Sequence, residues 1–443
     1  MNRPDALETP SETLRARRRT VQGALGGGAM VLAAAPLQYR SRDGEHRYHP
    51  DRNLYYLTGA TEPETVAVLT GGDAPRFVLF VRDRDADAEL WSGPRLGPEG
   101  ARERFHPDAC HPVGELAEGL PELLRGADRV FFRLGREDAL EAYVREALEW
   151  SRGRGARTGA GPRAVVDPGE VLDDLRVVKD AHEIALLRSA AELSIGGHEA
   201  AARAIAPGVG EWAVEAEVDR AFRVGGARGP AYETIVGAGP NACVLHYVEN
   251  ASIIGAGELV LVDAGAEYGL YHGDVTRTYP ASGRFSPEQR DVYVVVEAAL
   301  QAGIAAVRPG ALVGDVHAAA TRVIVDGLVA LGAVRGRPAD ILEKQEHKPF
   351  YPHQTSHWLG LDVHDSGDYA KDGVSRRLEP GMVFTVEPGL YFRPGLPETP
   401  ARLAGIGVRI EEDVVVTPEG CEVLTRALPT AAGEIEALMA RKG

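Results

Sequence analysis

The sequence has 443 residues, of which 44% are hydrophobic and 26% are charged, a composition typical of soluble globular proteins. A chain of this length exceeds one ordinary hydrophobic core, so two domains are expected. The formal net charge of −16 argues against a nucleic-acid-binding surface, which needs clustered lysine and arginine. The three cysteines lie far apart and form no C-x-x-C pair, which favours a reducing compartment.

The N-terminal region contains basic residues before the apolar run "AMVLAAAP" at residues 29–36, an order that imitates a signal peptide. Acidic residues precede the longer stretch "VQGALGGGAMVLAAAPL" and glycines interrupt that stretch, so we interpret "AMVLAAAP" as a buried strand. No segment approaches the roughly 20 apolar residues needed to span a bilayer. We therefore predict a cytoplasmic protein without membrane association.

Residues 1–174 alternate strand-like runs such as "TVAVLT" and "FVLFV" with helical stretches such as "DALEAYVREALEW". This alternation predicts an α/β domain, and residues 175–443 are predicted to form a second domain. Near its start, Asp180 is followed three residues later by Glu183, the pattern of a capping box at the beginning of a long helix.

Beyond residue 250 the pattern changes to short strands and sharp turns. The apolar run "LVLVD" ends at Asp263, although aspartate is a poor strand residue. A hairpin turning about Tyr268 and Gly269 would place Asp263 directly opposite Asp274, where two carboxylates repel unless a proton or a cation lies between them. The alternative is that Asp263 only begins a turn.

Two helices are predicted next, over about 287–307 and 313–331, followed by a second group of strands. There "MVFTVEPG" ends an apolar run at Glu387, and "GVRIEED" sets Glu411 beside core residues. The alternation of a strand puts Arg409 and Glu411 on one face, where the guanidinium would favour the ionised carboxylate. Taken alone, each glutamate could equally be a solvated edge residue.

The stretch "HQTSHWLGLDVHD" contains His353, His357 and His364 beside an apolar Trp-Leu-Gly-Leu run. It lacks the H-E-x-x-H signature, because Gln354 follows the first histidine. A lone histidine here would be a satisfied core or surface residue. Together with the strand-end carboxylates, one imidazole would complete a site for a hard or borderline divalent ion, for which Mn²⁺ fits.

These motifs, in this order, resemble the catalytic domain of the pita-bread metallopeptidases. The family pattern is filled at all its metal positions, in "LVLVDAGAEY", "HGDVTRTYP", "TSHWLGLDVHD", "FTVEPGLY" and "GVRIEED". Within that family, "SHWLGLDVHD", "GIGVRIEED" and the N-terminal "NLYYLTGATEPETVAVL" and "AELWSGPRLG" are most similar to aminopeptidase P. The implied fold is α/β (α+β), with a creatinase-like N-terminal domain at 1–174 and a pita-bread catalytic domain at 175–443.

The resemblance also implies the function: a metallo-exopeptidase that uses two divalent ions per subunit to release the N-terminal residue before a proline. It implies that one ion is held by Asp263, that the other is held by His357 and Glu387, and that Asp274 and Glu411 bridge the two. The implied catalytic residues are Glu387 as proton carrier, His364 as donor to the substrate carbonyl, His246 and His353. Arg409 and Trp91 are implied in support of the site or the substrate.

The implied partners are peptides with proline in the second position, and the chain is expected to form a homo-oligomer, a dimer or a tetramer. One departure from the family is Gln354, where glycine is usual; a side chain there could narrow the pocket or alter the turn beside His353. Three alternatives remain open: a prolidase that cleaves only Xaa-Pro dipeptides, a non-catalytic pita-bread binding protein and a metal-free creatinase-like hydrolase. The retained carboxylates speak against the last two.

Overall fold

The computed structural model describes residues 8–136, 138–396 and 399–440 of the chain. These residues form two compact units, Met1–Leu175 and Arg176–Gly443. Each unit has a hydrophobic core of its own, and the two are described separately. Among the described residues, no helix combines the length and apolar character that crossing a bilayer demands.

The first unit is built on a mixed sheet flanked by helices. Its helices are α1 (Ser11–Leu25), α2 (Arg52–Thr58), α3 (Ala86–Ser92), α4 (Gly97–Phe105), α5 (Leu116–Arg125), α6 (Asp138–Arg152) and α7 (Gly169–Val177), the last running into the second unit. Its strands are β1 (Ala29–Ala33), β2 (Val66–Thr70), β3 (Phe77–Val81), β4 (Ala109–Pro112), β5 (Val130–Phe131) and β6 (Val165–Val166). They form one six-stranded sheet in the order β4-β3-β2-β1-β5-β6.

Strand β1 lies near the middle of this sheet, antiparallel to β2 and parallel to β5. It consists of the apolar run that imitates a signal peptide, so the interpretation of that run as a buried strand is confirmed. Its Val31 packs in the core with Val68 of β2 and Leu120 of α5. Such a position on a central strand explains why the run is apolar on both faces.

The second unit surrounds short antiparallel sheets with long helices. Its helices are α8 (Ala181–Ala204), α9 (Glu211–Gly225), α10 (Pro287–Ala306), α11 (Val313–Ala330), α12 (Pro338–Glu343) and α13 (Ala432–Met439). Its strands are β7 (Gly229–Pro230), β8 (Ile235–Ala238), β9 (Leu259–Asp263), β10 (Ala266–Tyr268), β11 (Tyr271–His272), β12 (Thr276–Pro280), β13 (Ala370–Lys371), β14 (Val374–Ser375), β15 (Val383–Val386), β16 (Gly389–Tyr391), β17 (Gly407–Arg409), β18 (Glu412–Thr417) and β19 (Gly420–Val423).

Helix α8 begins as the sequence predicts. The Asp180 side chain accepts hydrogen bonds from the backbone N–H groups of His182 and Glu183, and the Glu183 side chain accepts one from the N–H of Asp180. Both halves of the capping box are therefore present, which satisfies N–H groups that the first helical turn leaves free. The helix then packs its buried face against the strands that carry the first two candidate ligands.

The hairpin between Asp263 and Asp274 has a different register from the predicted one. Strand β9 pairs with β12 so that Asp263 lies opposite Thr276, not opposite Asp274. The turn falls on Gly269 and Leu270, both with positive φ, as in a two-residue primed hairpin turn. This moves the pairing by two residues, and a shift of two leaves every side chain on its original face. The two aspartates are thus offset along the hairpin.

His198 of α8 ties the two strands of this hairpin together from behind. Its Nε2 lies 2.9 Å from the carbonyl oxygen of Val275 and 3.2 Å from that of Ala264. Two acceptors at one ring nitrogen require that Nε2 carries the proton, which leaves Nδ1 to accept from the Tyr279 hydroxyl at 3.2 Å. Burial lowers the pKa of His198 to about 3, so the ring stays neutral at neutral pH.

The other acidic candidates lie next to the strands of a second antiparallel sheet, β15-β18-β19. Glu387 directly follows β15, and Glu411 lies between β17 and β18. The fully buried Arg277 of β12 joins this region to the first hairpin, since its Nη1 donates to the carbonyl oxygen of Glu411 at 2.6 Å. Strand ends from both halves of the unit therefore bring their acidic side chains into one region.

Candidate metal centre and cavity

Asp263 and Asp274 are linked by the hydroxyl group of Tyr232. The phenolic oxygen lies 2.6 Å from Oδ1 of Asp263 and 2.5 Å from Oδ1 of Asp274. A hydroxyl has only one proton, so it cannot donate to both carboxylates at once. Burial and the two neighbouring carboxylates raise the pKa of Tyr232 well above its usual value. This crowding of oxygens indicates a place for a positive charge.

Glu411 and His357 complete a compact group with Asp274. One ligand atom from each of these three residues lies within 4.8 Å of the others. The Nε2 of His357 is 3.3 Å from Oδ2 of Asp274 and 3.6 Å from Oε1 of Glu387. The resulting set is rich in carboxylate oxygens and has one imidazole, which suits a hard or borderline divalent cation.

The orientation of His357 supports this use of its ring. Its Nδ1 lies 3.1 Å from the carbonyl oxygen of Trp358, to which it can only donate. Nε2 then faces the carboxylates, the arrangement in which a metal-binding histidine has its other nitrogen fixed by the backbone. Burial lowers the pKa of His357, but Asp274 and Glu387 outweigh it and raise that pKa to about 9.

The acidic side chains show the electrostatic cost of their proximity. Burial raises the pKa of Glu387 to about 7, and burial together with Asp274 and Glu387 raises that of Glu411 well above its usual value. The pKa of Asp263 is also raised, by burial against the opposing pull of Arg409. Three buried carboxylates, the partly buried Glu387 and one guanidinium leave excess negative charge, which divalent cations would neutralise. The residues present therefore fit a metal centre.

Arg409 connects this acidic group to the surrounding side chains. Its Nη2 donates to Oδ2 of Asp263 at 2.5 Å, its Nη1 to the Tyr391 hydroxyl at 3.0 Å and its Nε to the hydroxyl of Thr276 at 3.1 Å. Thr276 in turn donates to Oε2 of Glu411 at 2.6 Å. Arg409 and Glu411 thus meet at the same hydroxyl, but the guanidinium pairs with Asp263, not with Glu411 as the sequence suggested.

A cavity of about 870 Å³ opens over the acidic group. Its walls contain all the predicted site residues except Trp91, together with several that the sequence did not single out. The lining comprises Tyr232, Glu233, Ile235, Leu245, His246, Val248, Asp263, Asp274, Val313, Gly314, His317, His353, Gln354, Thr355, Ser356, His357, Val363, His364, Tyr369, Ser375, Glu387, Arg409 and Glu411. This volume lies within the range typical of sites for small ligands and short peptides.

His353 is already hydrogen-bonded through both ring nitrogens. Nδ1 lies 2.7 Å from the carbonyl oxygen of Gln354, and Nε2 lies 2.9 Å from the Tyr391 hydroxyl. The carbonyl can only accept, so Nδ1 carries the proton and Tyr391 donates to Nε2. Burial lowers the pKa of His353 to about 3. As placed, the ring lines the cavity but has no nitrogen free for a substrate.

His364 stands edge-on to His357, with ring centroids 4.3 Å apart and planes at 71°. Burial and the neighbouring His357 lower its pKa, so the ring is neutral near neutral pH. A neutral imidazole in the cavity can donate from one nitrogen and accept at the other. That capacity is what an acid–base or carbonyl-binding group requires.

His246 lies on the long segment between β8 and β9, with its side chain exposed to solvent on the cavity side. The segment is held by Glu211, the first residue of α9, whose side chain is completely buried. One Glu211 oxygen accepts from the N–H of Ala238 and the amide of Asn241, at 2.7 and 3.0 Å. The other accepts from the Tyr247 hydroxyl and the N–H of Ser252, at 2.9 and 2.8 Å.

Trp91 belongs to a different part of the molecule. It lies on α3 of the first unit with 88% of its surface exposed, and it does not line the cavity. Conversely, Tyr232, Tyr391 and Glu211 have central contacts that sequence reasoning missed. Tyr232 lies 31 or more positions from the aspartates it contacts, and Glu211 lies 27 or more positions from its hydrogen-bond partners. A local sequence pattern cannot predict contacts over such separations.

The sequence of this chain matches models of known protein families. Residues 185–418 match the sequence model of metallopeptidase family M24, and residues 14–131 match that of the aminopeptidase P N-terminal domain. The chain belongs to metallopeptidase family M24. This membership implies a divalent metal and confirms the resemblance and the pita-bread fold expected from the sequence.

Individual M24 relatives are similar over almost the whole chain. The Xaa-Pro aminopeptidase of Escherichia coli K12 is 42% identical over 430 residues, covering 97% of both chains. The structure of Pseudomonas aeruginosa aminopeptidase PepP superposes with a TM-score of 0.93 and 43% identity, covering 98% of this chain and 99% of that one. Proline aminopeptidase P II from Yersinia pestis gives 0.93 and 42%, covering 98% and 100%.

Proposed function

We propose that this protein is an Xaa-Pro aminopeptidase, which removes the N-terminal residue from peptides that have proline in the second position. The observation that carries the proposal is the cavity floored by Asp263, Asp274, His357, Glu387 and Glu411. The names of the relatives, which are similar over almost the full length, support the same activity.

We propose that these five side chains hold two divalent ions, with Mn²⁺ as the best match. Asp263 would bind one ion, His357 and Glu387 the other, and Asp274 and Glu411 both. Four carboxylates balance the charge of two divalent ions, and the single imidazole suits an ion that is not strongly thiophilic. When bound, such ions polarise a peptide carbonyl and make water more acidic at neutral pH.

The other residues of the cavity then have distinct tasks. Glu387 has one oxygen facing His357 and the other facing His353, at 3.6 Å each, and it would carry a proton from water to the leaving nitrogen. His364 would donate a hydrogen bond to the oxygen of the scissile carbonyl as charge develops there. His246, which also lines the cavity, would assist in holding the substrate.

The preference for proline follows from its chemistry. Proline lacks an N–H, so a site that depends on that donor binds the Xaa-Pro bond poorly. Here the scissile carbonyl would be held from one side by His364, and the apolar side chains of Ile235, Leu245 and Val248 on the cavity wall can pack against a pyrrolidine ring. The substrate's free α-amino group would meet the acidic floor.

The experiment that tests this function compares four peptides: an Xaa-Pro-Yaa tripeptide, its N-acetylated form, an Xaa-Ala-Yaa analogue and an Xaa-Pro dipeptide. We expect cleavage of the first alone. Cleavage of the dipeptide alone would identify a prolidase instead. Cleavage of none by metal-loaded protein would favour a non-catalytic binding protein of the same fold.

Several further assignments belong to this proposal. Residues 1–174 would form the aminopeptidase P N-terminal domain and residues 175–443 the catalytic domain, in a cytoplasmic homo-oligomer, dimeric or tetrameric. The free thiols of Cys110, Cys243 and Cys421 support a reducing compartment. The exposure of Leu90 and Trp91, 81% and 88%, leaves both side chains available to a second copy or to a substrate.

A further inference from the structure

The stretch that carries His353, His357 and His364 also contains two aspartates, Asp362 and Asp365, which the proposed chemistry does not use. Aspartates in a loop are normally solvated. The side chain of Asp365 is instead only 2% exposed, whereas that of Asp362 is 42% exposed. The buried member of the pair directly follows His364 in the chain.

Asp365 is buried because two cations reach it from the beginning of the second unit. Nη2 of Arg176 donates to Oδ1 of Asp365 and, at 2.8 Å, to Oδ2 of Asp362. Nζ of Lys179 lies 3.0 Å from Oδ2 of Asp365. The side chains of Arg176 and Lys179 are 3% and 0% exposed. Both oxygens of the Asp365 carboxylate therefore have a buried cationic partner.

The charges of this cluster are balanced locally. Burial alone would raise the pKa of Asp365, but Lys179 and Arg176 outweigh burial and hold that pKa below its usual value. A buried ionic cluster is costly to form, and a well-packed apolar one can be equally stable. Stability alone thus gives no reason for this cluster, whereas a requirement for one fixed backbone geometry does.

The loop closes tightly around the carboxylate. The N–H of Asp365 donates to the carbonyl oxygen of Trp358 at 2.9 Å. A Cβ atom added to Gly360 would collide with the Asp365 carboxylate. The carbonyl oxygen of Gly360 accepts from the N–H of His272 at 3.0 Å, which ties the loop to strand β11. The segment 358–365 is therefore wrapped around a single buried side chain.

The ring of His364 depends on this arrangement for its position. Within the described residues, the ring contacts His357 edge-on and makes no hydrogen bond of its own. Its placement in the cavity is therefore determined by the backbone that carries it. That backbone is fixed one residue later by the Asp365 carboxylate.

We propose that Arg176, Lys179 and Asp365 are positioning residues that hold the loop so that His364 faces the substrate carbonyl. The inference rests on the proposed function for its kinetic consequence, because His364 is the carbonyl-side donor there. Its structural consequence is independent of any activity. Loss of either cation leaves Asp365 buried with an unbalanced charge, so the loop opens and His364 moves away from His357.

The kinetic test measures kcat and KM of the metal-loaded protein on an Xaa-Pro-Yaa tripeptide. We expect Lys179→Met to lower kcat about tenfold, since small misplacements of a catalytic group have effects of that order or more, with KM within about twofold. In a His364→Ala background the same substitution should change kcat less than about twofold, because residues acting through one another are not additive. Arg290→Met, which breaks the ion pair of Arg290 with Glu436 away from the cavity, is the matched control and should leave kcat unchanged.

A tenfold loss that persists in the His364→Ala background would overturn the proposal, as would an unchanged kcat accompanied by lower thermal stability. A wild-type protein that cleaves no Xaa-Pro peptide would contradict the proposed function instead. The positioning role is then decided by a crystal structure of Lys179→Met, or of the isosteric Asp365→Asn if the first variant does not fold. We expect the distance between the rings of His357 and His364, 4.3 Å in the wild type, to increase by more than about 1 Å. An unchanged distance refutes the proposal.

Discussion

The acidic and the imidazole side chains of the cavity are positioned in different ways. Asp263 ends strand β9 and Glu387 directly follows β15, so sheet register places them. The three histidines of 353–365 lie between α12 and β13, in a segment with neither helix nor strand. The backbone of 355–359, which carries His357, is hydrogen-bonded to β15 and the residue that follows it. The part that carries His364 is held instead through the buried side chain of Asp365. Backbone hydrogen bonds therefore position the candidate metal ligands Asp263, Glu387 and His357, and side-chain ion pairs position His364, the proposed donor to the substrate.

The comparison predicts its largest effect at Asp274 and Glu411, the carboxylates proposed to bind both ions. Asp274→Ala and Glu411→Ala should each lower kcat by more than about 10³-fold and remove bound metal, since each side chain would hold both ions and the remaining carboxylates would repel one another. Turnover measured beside elemental analysis tests this, with circular dichroism to show that the fold is kept. Near-normal turnover without metal would refute the assigned ligands.

A histidine variant should separate catalysis from metal binding. We expect His364→Ala to lower kcat about 10²-fold, the loss typical of one donor to a developing oxyanion, with metal content unchanged. The measurement is steady-state kinetics on an Xaa-Pro-Yaa peptide, with elemental analysis of the same sample. Loss of metal from this variant would show that His364 also contributes to metal binding, which contradicts its separation from the proposed metal ligands.

Features that depend on local sequence could be predicted, and those that depend on contacts between distant segments could not. Asp263 and Glu387 were visible because an acidic residue ended an apolar run, and the capping box of Asp180 and Glu183 was visible because its spacing is local. The hairpin register was wrong by two residues, because a turn at Gly269–Leu270 also satisfies the alternation.

The remaining features arise from contacts between distant segments. Tyr232 meets Asp263 and Asp274, and Asp365 meets residues 186 and more positions earlier in the chain. An aspartate in a loop, such as Asp365, is normally solvated. Only the folded chain brings the side chains of Arg176 and Lys179 to it, so the sequence of the loop alone could not predict the cluster.

A third prediction extends the comparison to the segment of His246. Glu211→Ala removes an acceptor of four hydrogen bonds that hold this segment, so we expect kcat/KM for the tripeptide to fall about tenfold with metal content unchanged. Glu215→Ala on the same helix is the matched control, because Glu215 accepts one hydrogen bond, from Asn250. Equal effects of the two variants would show that Glu211 has no special role.

The smallest effect is expected at His198, behind the hairpin that carries the aspartates. Its pKa lies at about 3 in the folded chain against 6.5 as the ordinary value. As pH falls below 6.5, the unfolded chain binds a proton that the folded chain refuses, so stability is lost between these values. This loss amounts to about 2 kcal/mol at pH 5. His198→Gln should therefore show a smaller decrease in Tm between pH 7 and pH 5 than the wild type; an equal decrease would contradict the assignment.

The most direct test of the central claim is a metal titration of the wild-type protein. Metal-free protein, verified by elemental analysis, is titrated with Mn²⁺ while hydrolysis of an Xaa-Pro-Yaa tripeptide is followed. If the four carboxylates and His357 hold two ions, activity is absent at the start and reaches its plateau at about two ions per chain. Full activity in the metal-free protein would contradict the account.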